Sequence, residues 1–548
     1  MKKKIILGAS IGNCVHVAGL YHFLKIAETE GFGTIFLGPA VPLKRLIEEI
    51  ERNKPDIVAL SYRLTPENAF NLFKELDEMI KAKGIKETEF IFGGTRPAAE
   101  MARKFPFFKQ AFSGEESMDE IKEFLRGGKA SSVSDSFPQT LIERINKKYP
   151  YPLIRHHFGR PSVADTIAGA KIIAESEVVD IISLGTDQNA QEHFFNPEDM
   201  IPSLNGAGGV PVRSRKDLAD IYNASRCGNF PLMRCYSGTN NLQKWAEMSV
   251  DAIHNAWAAI PLTWYSVIDG RSKRTLAEAI TENRSVMKWY ASKGIPVEVN
   301  ESHQWSLRDA HDAVAVAMAY LAAYNAKSVG VNNYVAQYMF NTPPGTYPSM
   351  DLAKMLAKKE MIYSLHDSGF TSYTEVRAGI AHFSPDEKLA KGQLAASAVI
   401  SLSLKPHILH VVGFSEGHHA IFPEELIESC KIVHGVLNNC LNGLPDYSSD
   451  PVVIKRKEEL KMEAGMIIDA VRQISKTPNV DPLTDPVTLA AAIKEGILDA
   501  PHFRGNPHLC GNVVTQLIDG AWYAINPSDG KKISEKDRLN LILNKGDK

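Results

Sequence analysis

The chain is 548 residues long, 44% hydrophobic and 23% charged, with 62 lysines and arginines against 64 acidic residues and a formal charge of −2. It can bury large cores and divides into two or three domains, and its charge balance gives no electrostatic pull toward nucleic acid or an anionic membrane. No apolar run approaches the roughly 20 residues of a membrane span, and Met1-Lys2-Lys3-Lys4 leads into a mixed strand and not a signal-peptide core. The six cysteines, Cys14, Cys227, Cys235, Cys430, Cys440 and Cys510, show no Cys-x-x-Cys spacing. Neither a disulfide framework nor a zinc ribbon is indicated, and a cytoplasmic enzyme with free thiols is expected.

Residues 1–128 alternate short apolar runs with amphipathic stretches. Strands are predicted at 4–7, 34–37, 57–60, 89–92 and 110–112 with helices between them, which reads as a doubly wound, flavodoxin-like parallel sheet. Such sheets bind ligands beyond the carboxyl ends of their strands, where strand order reverses. His16, Ser61 and the Gly93-Gly94 pair each follow a predicted strand end, so all three are expected on that edge. Glycines let backbone approach a bulky ligand closely, and an imidazole on the loop after the first strand suits a metal.

The stretch Cys14-Val15-His16-Val17-Ala18-Gly19 resembles the cobalamin-binding signature Asp-x-His-x-x-Gly, with Cys14 in the place of the aspartate. Ser61 and Gly93-Gly94 stand where cobalamin-binding domains carry Ser-x-Leu and Gly-Gly, although Arg63 occupies the leucine position and Leu64 follows it one residue later. The resemblance implies a cobalamin cofactor with His16 as the lower axial ligand of cobalt. It also implies cofactor contacts from Cys14, Gly19, Ser61, Arg63, Leu64, Gly93 and Gly94. A neutral Cys14 thiol would be a weak hydrogen-bond partner for the ligand histidine.

Residues 129–150 are serine-rich and polar before a helical patch, and read as a linker. From residue 151, buried apolar runs at 152–154, 179–184, 230–233, 260–266, 296–300, 328–331, 361–365 and 408–412 predict eight strands. Eight strands with helices between them argue for a (β/α)8 TIM barrel over 151–470, with the active site on the loops after the strands and 471–548 completing or capping it. Those loops are polar and aromatic, which points to a small polar organic substrate. Arg234, Glu301, His366 and His418 are the candidates for substrate contact or proton transfer, and Tyr265 or Trp264 for a wall above a corrin.

Over most of 151–545 the chain resembles the catalytic subunit of glutamate mutase. The likeness is clearest at Trp289-Tyr290 leading to Val299-Asn300-Glu301, in the helix from Ala313 to Ala323, and in the tail from Glu495 to Pro501. The first domain resembles that enzyme's cobalamin-binding subunit. Only Arg234 stands at one of the three substrate-binding arginines implied, no acid stands near Ile260-Pro261, and Ser415 and His419 replace the lysine and glutamate that hold the adenosyl ribose. His418 matches the histidine of that segment, and His419 is kept as a cofactor contact. The resemblance with these departures implies an adenosylcobalamin-dependent mutase acting on a small polar acid other than glutamate, with adenosylcobalamin favoured over methylcobalamin. A small-molecule substrate is expected, with no nucleic acid or membrane partner, and a homodimer as the assembly. The alternatives are a methyl-corrinoid methyltransferase, for which Cys235, His366 and His418 would have to meet around zinc, and a non-catalytic corrinoid sensor or carrier.

Overall fold

A computed structural model describes residues 3–544 except 115, 117, 127–136, 237, 239 and 442. The chain forms two compact units, Met1–Val133 and Ser134–Lys548.

The first unit is a five-stranded sheet of β1 (Ile5–Ser10), β2 (Gly33–Phe36), β3 (Ile57–Tyr62), β4 (Glu89–Gly94) and β5 (Phe108–Phe112). All neighbours are parallel in the order β2-β1-β3-β4-β5, the flavodoxin-like arrangement. The order reverses between β1 and β3. The helix Leu43–Asn53 buries Leu43, Leu46, Ile47 and Ile50 at helical spacing. The helix Pro66–Lys83 starts with proline in its first turn, buries Ala69, Phe73, Leu76 and Ile80, and stops at Gly84 with φ 63°. β1, β3 and β4 run two or three residues past their predicted ends because Ala9-Ser10, Ser61-Tyr62 and Gly93-Gly94 stay in the ladder. The register then sets Ser10, Ser61, Gly93 and Phe112 in one row across the sheet.

In the second unit eight parallel strands form a nearly closed barrel: β6 (Leu153–Phe158), β7 (Ile181–Leu184), β8 (Leu232–Cys235), β9 (Ala258–Ile260), β10 (Val297–Val299), β11 (Asn333–Phe340), β12 (Thr371–Ala378) and β13 (Ile408–Val411). The ladder runs β8-β7-β6-β13-β12-β11-β10-β9 and leaves its seam between β8 and β9. Three predicted strands move. Residues 261–266 are loop after β9, residue 328 ends the helix Asp312–Ser328, and the run at 361–365 closes the helix Pro348–Tyr363. The true strands β11 and β12 carry Gln337, Glu375 and Arg377, which break the apolar pattern that marks a buried strand. As a consequence Asn332, Asn333, His366 and Asp367 sit at the amino ends of β11 and β12, opposite the ends where a barrel carries its active site.

The linker reading is also corrected. Its part at 129–136 lies outside the described residues, but the helix Leu141–Lys148 belongs to the barrel, packing Leu141 and Ile145 on Leu153, Ile181, Leu232, Trp257 and Ile408. Buried Arg144 ties it down by donating to the carbonyls of Pro138 (2.9 Å), Asn229 (3.2 Å) and Phe230 (2.9 Å). The tail beyond 470 shares the main core through Leu489, Ile493, Leu498 and Phe503, and adds the antiparallel hairpin β14 (Val514–Ile518) and β15 (Ala521–Ile525). Among the described residues no helix is long and apolar enough to cross a membrane.

Arg144→Ala should cost about 1–3 kcal/mol of stability in denaturant titration of the full chain, because three carbonyls lose a charged donor. A change within about 0.5 kcal/mol, as for a solvated linker residue, would contradict the placement.

Candidate functional site

In the first unit the loop after β1 is held from within. Ser10 Oγ donates to the Cys14 carbonyl (2.8 Å), and the same carbonyl accepts Ala40 N–H (2.9 Å). Cys14 is fully buried, its sulfur accepting Arg63 N–H at 3.3 Å and lying 3.7 Å from His16 Nδ1. Cys14 therefore clasps the loops after β1 and β3, while His16 stands exposed just before the helix Ala18–Thr29. Beside them, between that helix and the carboxyl ends of β3, β4 and β5, lies a cleft of about 580 Å³. Gly19, Ser61, Arg63, Gly93 and Gly94 line it. Leu64 does not; it is exposed beside the cleft. Sequence reading missed Glu116, also on the lining, whose carboxylate accepts the amides of Ser113 (2.9 Å) and Gly114 (2.9 Å). Burial opposes its charge, but those donors hold its pKa below the usual carboxylate range. Its position on the loop after β5 was the available signal.

In the second unit a cavity of about 660 Å³ opens at the carboxyl ends of the strands. Tyr236, Pro261, Asn300, Met339, Arg377 and Phe414 bring β8 to β13 to it, and Trp264, Tyr265, His303 and His418 form more of its wall. Tyr265 adopts φ 62°, which fixes the sharp turn of its loop, and its ring lies under the Arg271 guanidinium at 4.3 Å. Burial and the nearby Arg377 charge push the His303 pKa down to about 3, so this imidazole is neutral.

Beneath the cavity the barrel interior is ionic. Arg155 pairs with Glu375 and donates to Ser183 Oγ (2.6 Å), and Arg234 pairs with Glu298 (2.7 Å), all four charged side chains being fully buried. Glu298 also accepts Trp257 Nε1 (2.7 Å) and Gln337 Nε2 (2.8 Å). Burial works against its charge, but Arg234 and Arg155 outweigh it and hold its pKa below the ordinary range. His157 Nε2 faces Arg155 (3.3 Å) and Tyr236 Oη (2.7 Å). An arginine can only donate, so Nε2 is an acceptor, and burial with the adjacent Arg155 keeps the ring neutral.

Residues 4–121 match the family described as the B12 binding domain. The chain carries a B12-binding domain. Among solved structures it is similar to a novel cobalamin-binding protein from Desulfitobacterium hafniense DCB-2, with 25% identity over 23% of this chain and 59% of that one and a TM-score of 0.20. This chain thus spans 59% of that protein's length. It is also similar to a Rubisco-like protein from Rhodopseudomonas palustris, at 9% identity over 56% of this chain and 70% of that one with a TM-score of 0.32. A third is the cobalamin-dependent S-adenosylmethionine radical enzyme OxsB with aqua-cobalamin and S-adenosylmethionine bound, at 10% identity over 89% and 70% with a TM-score of 0.18. At these TM-scores the likenesses say nothing further about either unit.

The B12-binding domain has room for its cofactor. A Cβ on Gly19 or Gly93 would meet nothing within 4 Å, so both glycines front open space, and Ser61, Thr95 and Ser113 bring hydroxyl-bearing side chains to the cleft. Among the described residues the His16 ring has Cys14 as its one hydrogen-bonding neighbour, through Nδ1, which leaves Nε2 available to a metal.

The barrel residues singled out from sequence divide. His418 and Tyr265 line the cavity. Arg234 lies below it, engaged by Glu298. Glu301 is buried and accepts Leu262 N–H (2.9 Å), Thr263 N–H (3.0 Å), the Thr263 hydroxyl and Trp305 Nε1 (2.9 Å), so it braces the loop after β9. His366 accepts Ser372 N–H (3.0 Å) at the far end of the barrel. His419 turns away to Glu425 (3.0 Å), which also accepts from Ser415. Cys235, His366 and His418 consequently do not meet, and burial pushes the Cys235 thiol up to about 12.

Gly93→Leu should fold with unchanged thermal stability and bind cobalamin at least about tenfold more weakly in equilibrium dialysis, since the side chain enters the cleft. At Gly94 a Cβ would stand 2.5 Å from the Tyr62 carbonyl oxygen. Gly94→Ala should therefore lose about 1–3 kcal/mol with or without cobalamin.

Proposed function

We propose that the protein is an adenosylcobalamin-dependent isomerase. It carries out a radical carbon-skeleton rearrangement, or a related isomerisation, on a small acid other than glutamate. His16 would hold the cobalt of the bound cofactor, and the cavity at the barrel mouth would hold the substrate. The observation that carries this reading is the joining, in one chain, of a B12-binding domain to a barrel with a walled cavity at the carboxyl ends of its strands. When bound, adenosylcobalamin supplies a weak carbon–cobalt bond whose homolysis begins radical chemistry. The protein's part is to position the substrate and keep water from it. Trp264, Phe383 and Phe414 make the walls apolar, and Asn300, Gln304 and the neutral His303 offer hydrogen bonds without charge. Arg234, the residue nearest in position to the glutamate-binding arginines, is fully buried below the cavity with its charge paired to Glu298 through Nη2, which supports a substrate other than glutamate.

Thiol methylation is the less favoured reading because zinc activation needs clustered ligands. Among the described residues no group of three or more His, Cys, Asp or Glu side chains is placed to hold a metal ion.

Anaerobic mixing of the full chain with adenosylcobalamin and a panel of small acids should give a paramagnetic cobalt signal, by electron paramagnetic resonance, with the substrate alone. A silent spectrum across the panel would sink the isomerase reading. In parallel, His16→Ala should abolish histidine coordination in the visible and resonance spectra of bound cobalamin, and its retention would remove His16 as ligand.

A further inference from the structure

Side chains on alternate strand positions face the barrel axis, and two tiers result. The lower tier holds Arg155, Arg234, Glu298 and Glu375, two cations against two anions, each paired inside the protein. Two residues further along the same strands come His157, Tyr236, Asn300 and Arg377. The upper tier has one ion, Arg377. It lines the cavity, and its Nε donates to the Ala378 carbonyl at 3.2 Å. Among the described residues no carboxylate lies within ion-pair distance of its guanidinium.

The rest of the lining does not balance this charge. Arg271, the other guanidinium there, is held by Asp269 through Nε (2.9 Å) and Nη2 (2.6 Å). No aspartate or glutamate is among the lining residues, and His303 is neutral. A partly buried cation without a counter-ion is costly, and that cost is relieved when an anion enters. A planar guanidinium binds a carboxylate through two parallel hydrogen bonds.

We infer that the cavity takes a substrate with one carboxylate, held by Arg377, and no ammonium group. The inference rests on the reading that the cavity is where substrate binds. An ammonium group would find no carboxylate on the lining and would be repelled by Arg377. A second carboxylate would find only Arg271, already neutralised by Asp269. Met339, Ile380, Phe383 and Phe414 receive the apolar body of the molecule. The substrate is therefore a monocarboxylic acid with a hydrocarbon portion, and Arg377 sets specificity for it.

Four compounds that share one carbon branch test this by calorimetry on the full-length protein without cobalamin. 3-Methylbutyrate has one carboxylate, L-valine adds an ammonium, isopropylmalonate adds a second carboxylate, and isobutylamine has the ammonium alone. 3-Methylbutyrate should bind and the other three should bind at least about tenfold more weakly. Arg377→Gln should weaken 3-methylbutyrate at least about tenfold while raising the Tm of the free protein, and Arg377→Lys should recover part of the loss. L-valine binding as tightly as 3-methylbutyrate, no binding of 3-methylbutyrate, or its unchanged affinity in Arg377→Gln would each overturn the proposal. If the variant fails to fold, the 3-methylbutyrate and L-valine pair on the wild-type chain decides alone. Selective monoacid binding with no cobalt signal from any acid would sink the isomerase reading and leave this one standing. A cobalt signal raised by an amino acid would do the reverse.

Discussion

The barrel is built around charges that have no access to water. Arg155, Arg234, Glu298 and Glu375 are all fully buried, and each would cost several kcal/mol if left unpaired. They are retained as a matched set. Glu298 fills both of its oxygens with donors from Arg234, Trp257 and Gln337, and Arg155 spans Glu375 and Ser183. Trp257 adds its ring, with the two guanidiniums 5.4 and 5.1 Å from it. Burial, together with the same positive field, keeps His157 and His410 neutral. This floor presents to the cavity above it a tier whose charge is set by what the lower tier has already paired.

The B12-binding domain depends on a different constraint, that of small side chains on one sheet edge. Ser10, Ser61 and Gly93 stand in one row with the larger Phe112 and bring four strand ends level, and the cleft lies over the ends of β3, β4 and β5. Cys14 gains a meaning that its type alone does not convey. Its sulfur accepts a backbone N–H from the loop after β3, and its carbonyl ties back to Ser10 and Ala40. It positions the His16 loop whatever it contributes to the imidazole itself.

Legibility in the sequence followed burial chemistry. Four strands of the first unit were readable because β1 to β4 each carry an apolar run of three or four residues ending in small or polar residues, whereas β5 showed only its Ala111-Phe112 end. In the barrel β6, β7, β8, β10 and β13 were readable from short apolar stretches, although Arg155, Arg234, Glu298 and His410 interrupt four of them. β11 and β12 were not, since Gln337, Glu375 and Arg377 face the axis, and the stronger apolar runs beside them belong to helices. That displacement carried His366 to the wrong end of the barrel. Glu301 was misread for another cause, because its carboxylate is of the right type for catalysis and only its neighbours disclose that all its acceptor positions are taken. Arg377 escaped notice because no spacing tells a paired arginine from an unpaired one.

One criterion sorts these residues: whether the protein itself meets the demand of a polar group. Glu301 meets four donors and is structural. Arg377 meets one backbone carbonyl and no carboxylate among the described residues. The last barrel loop obeys the same rule. There Ser415 and His419 stand where the resemblance to glutamate mutase implies a lysine and a glutamate, yet a carboxylate is present after all, supplied by Glu425 of the helix Pro423–Cys440. Glu425 accepts from Ser415 (3.0 Å), His419 (3.0 Å) and Phe422 N–H (3.0 Å), and these donors hold its pKa below the usual range against the effect of burial. A carboxylate so engaged is no open acceptor for a ribose hydroxyl. His419 thus closes this loop upon itself through Glu425, and it is His418 that faces the cavity.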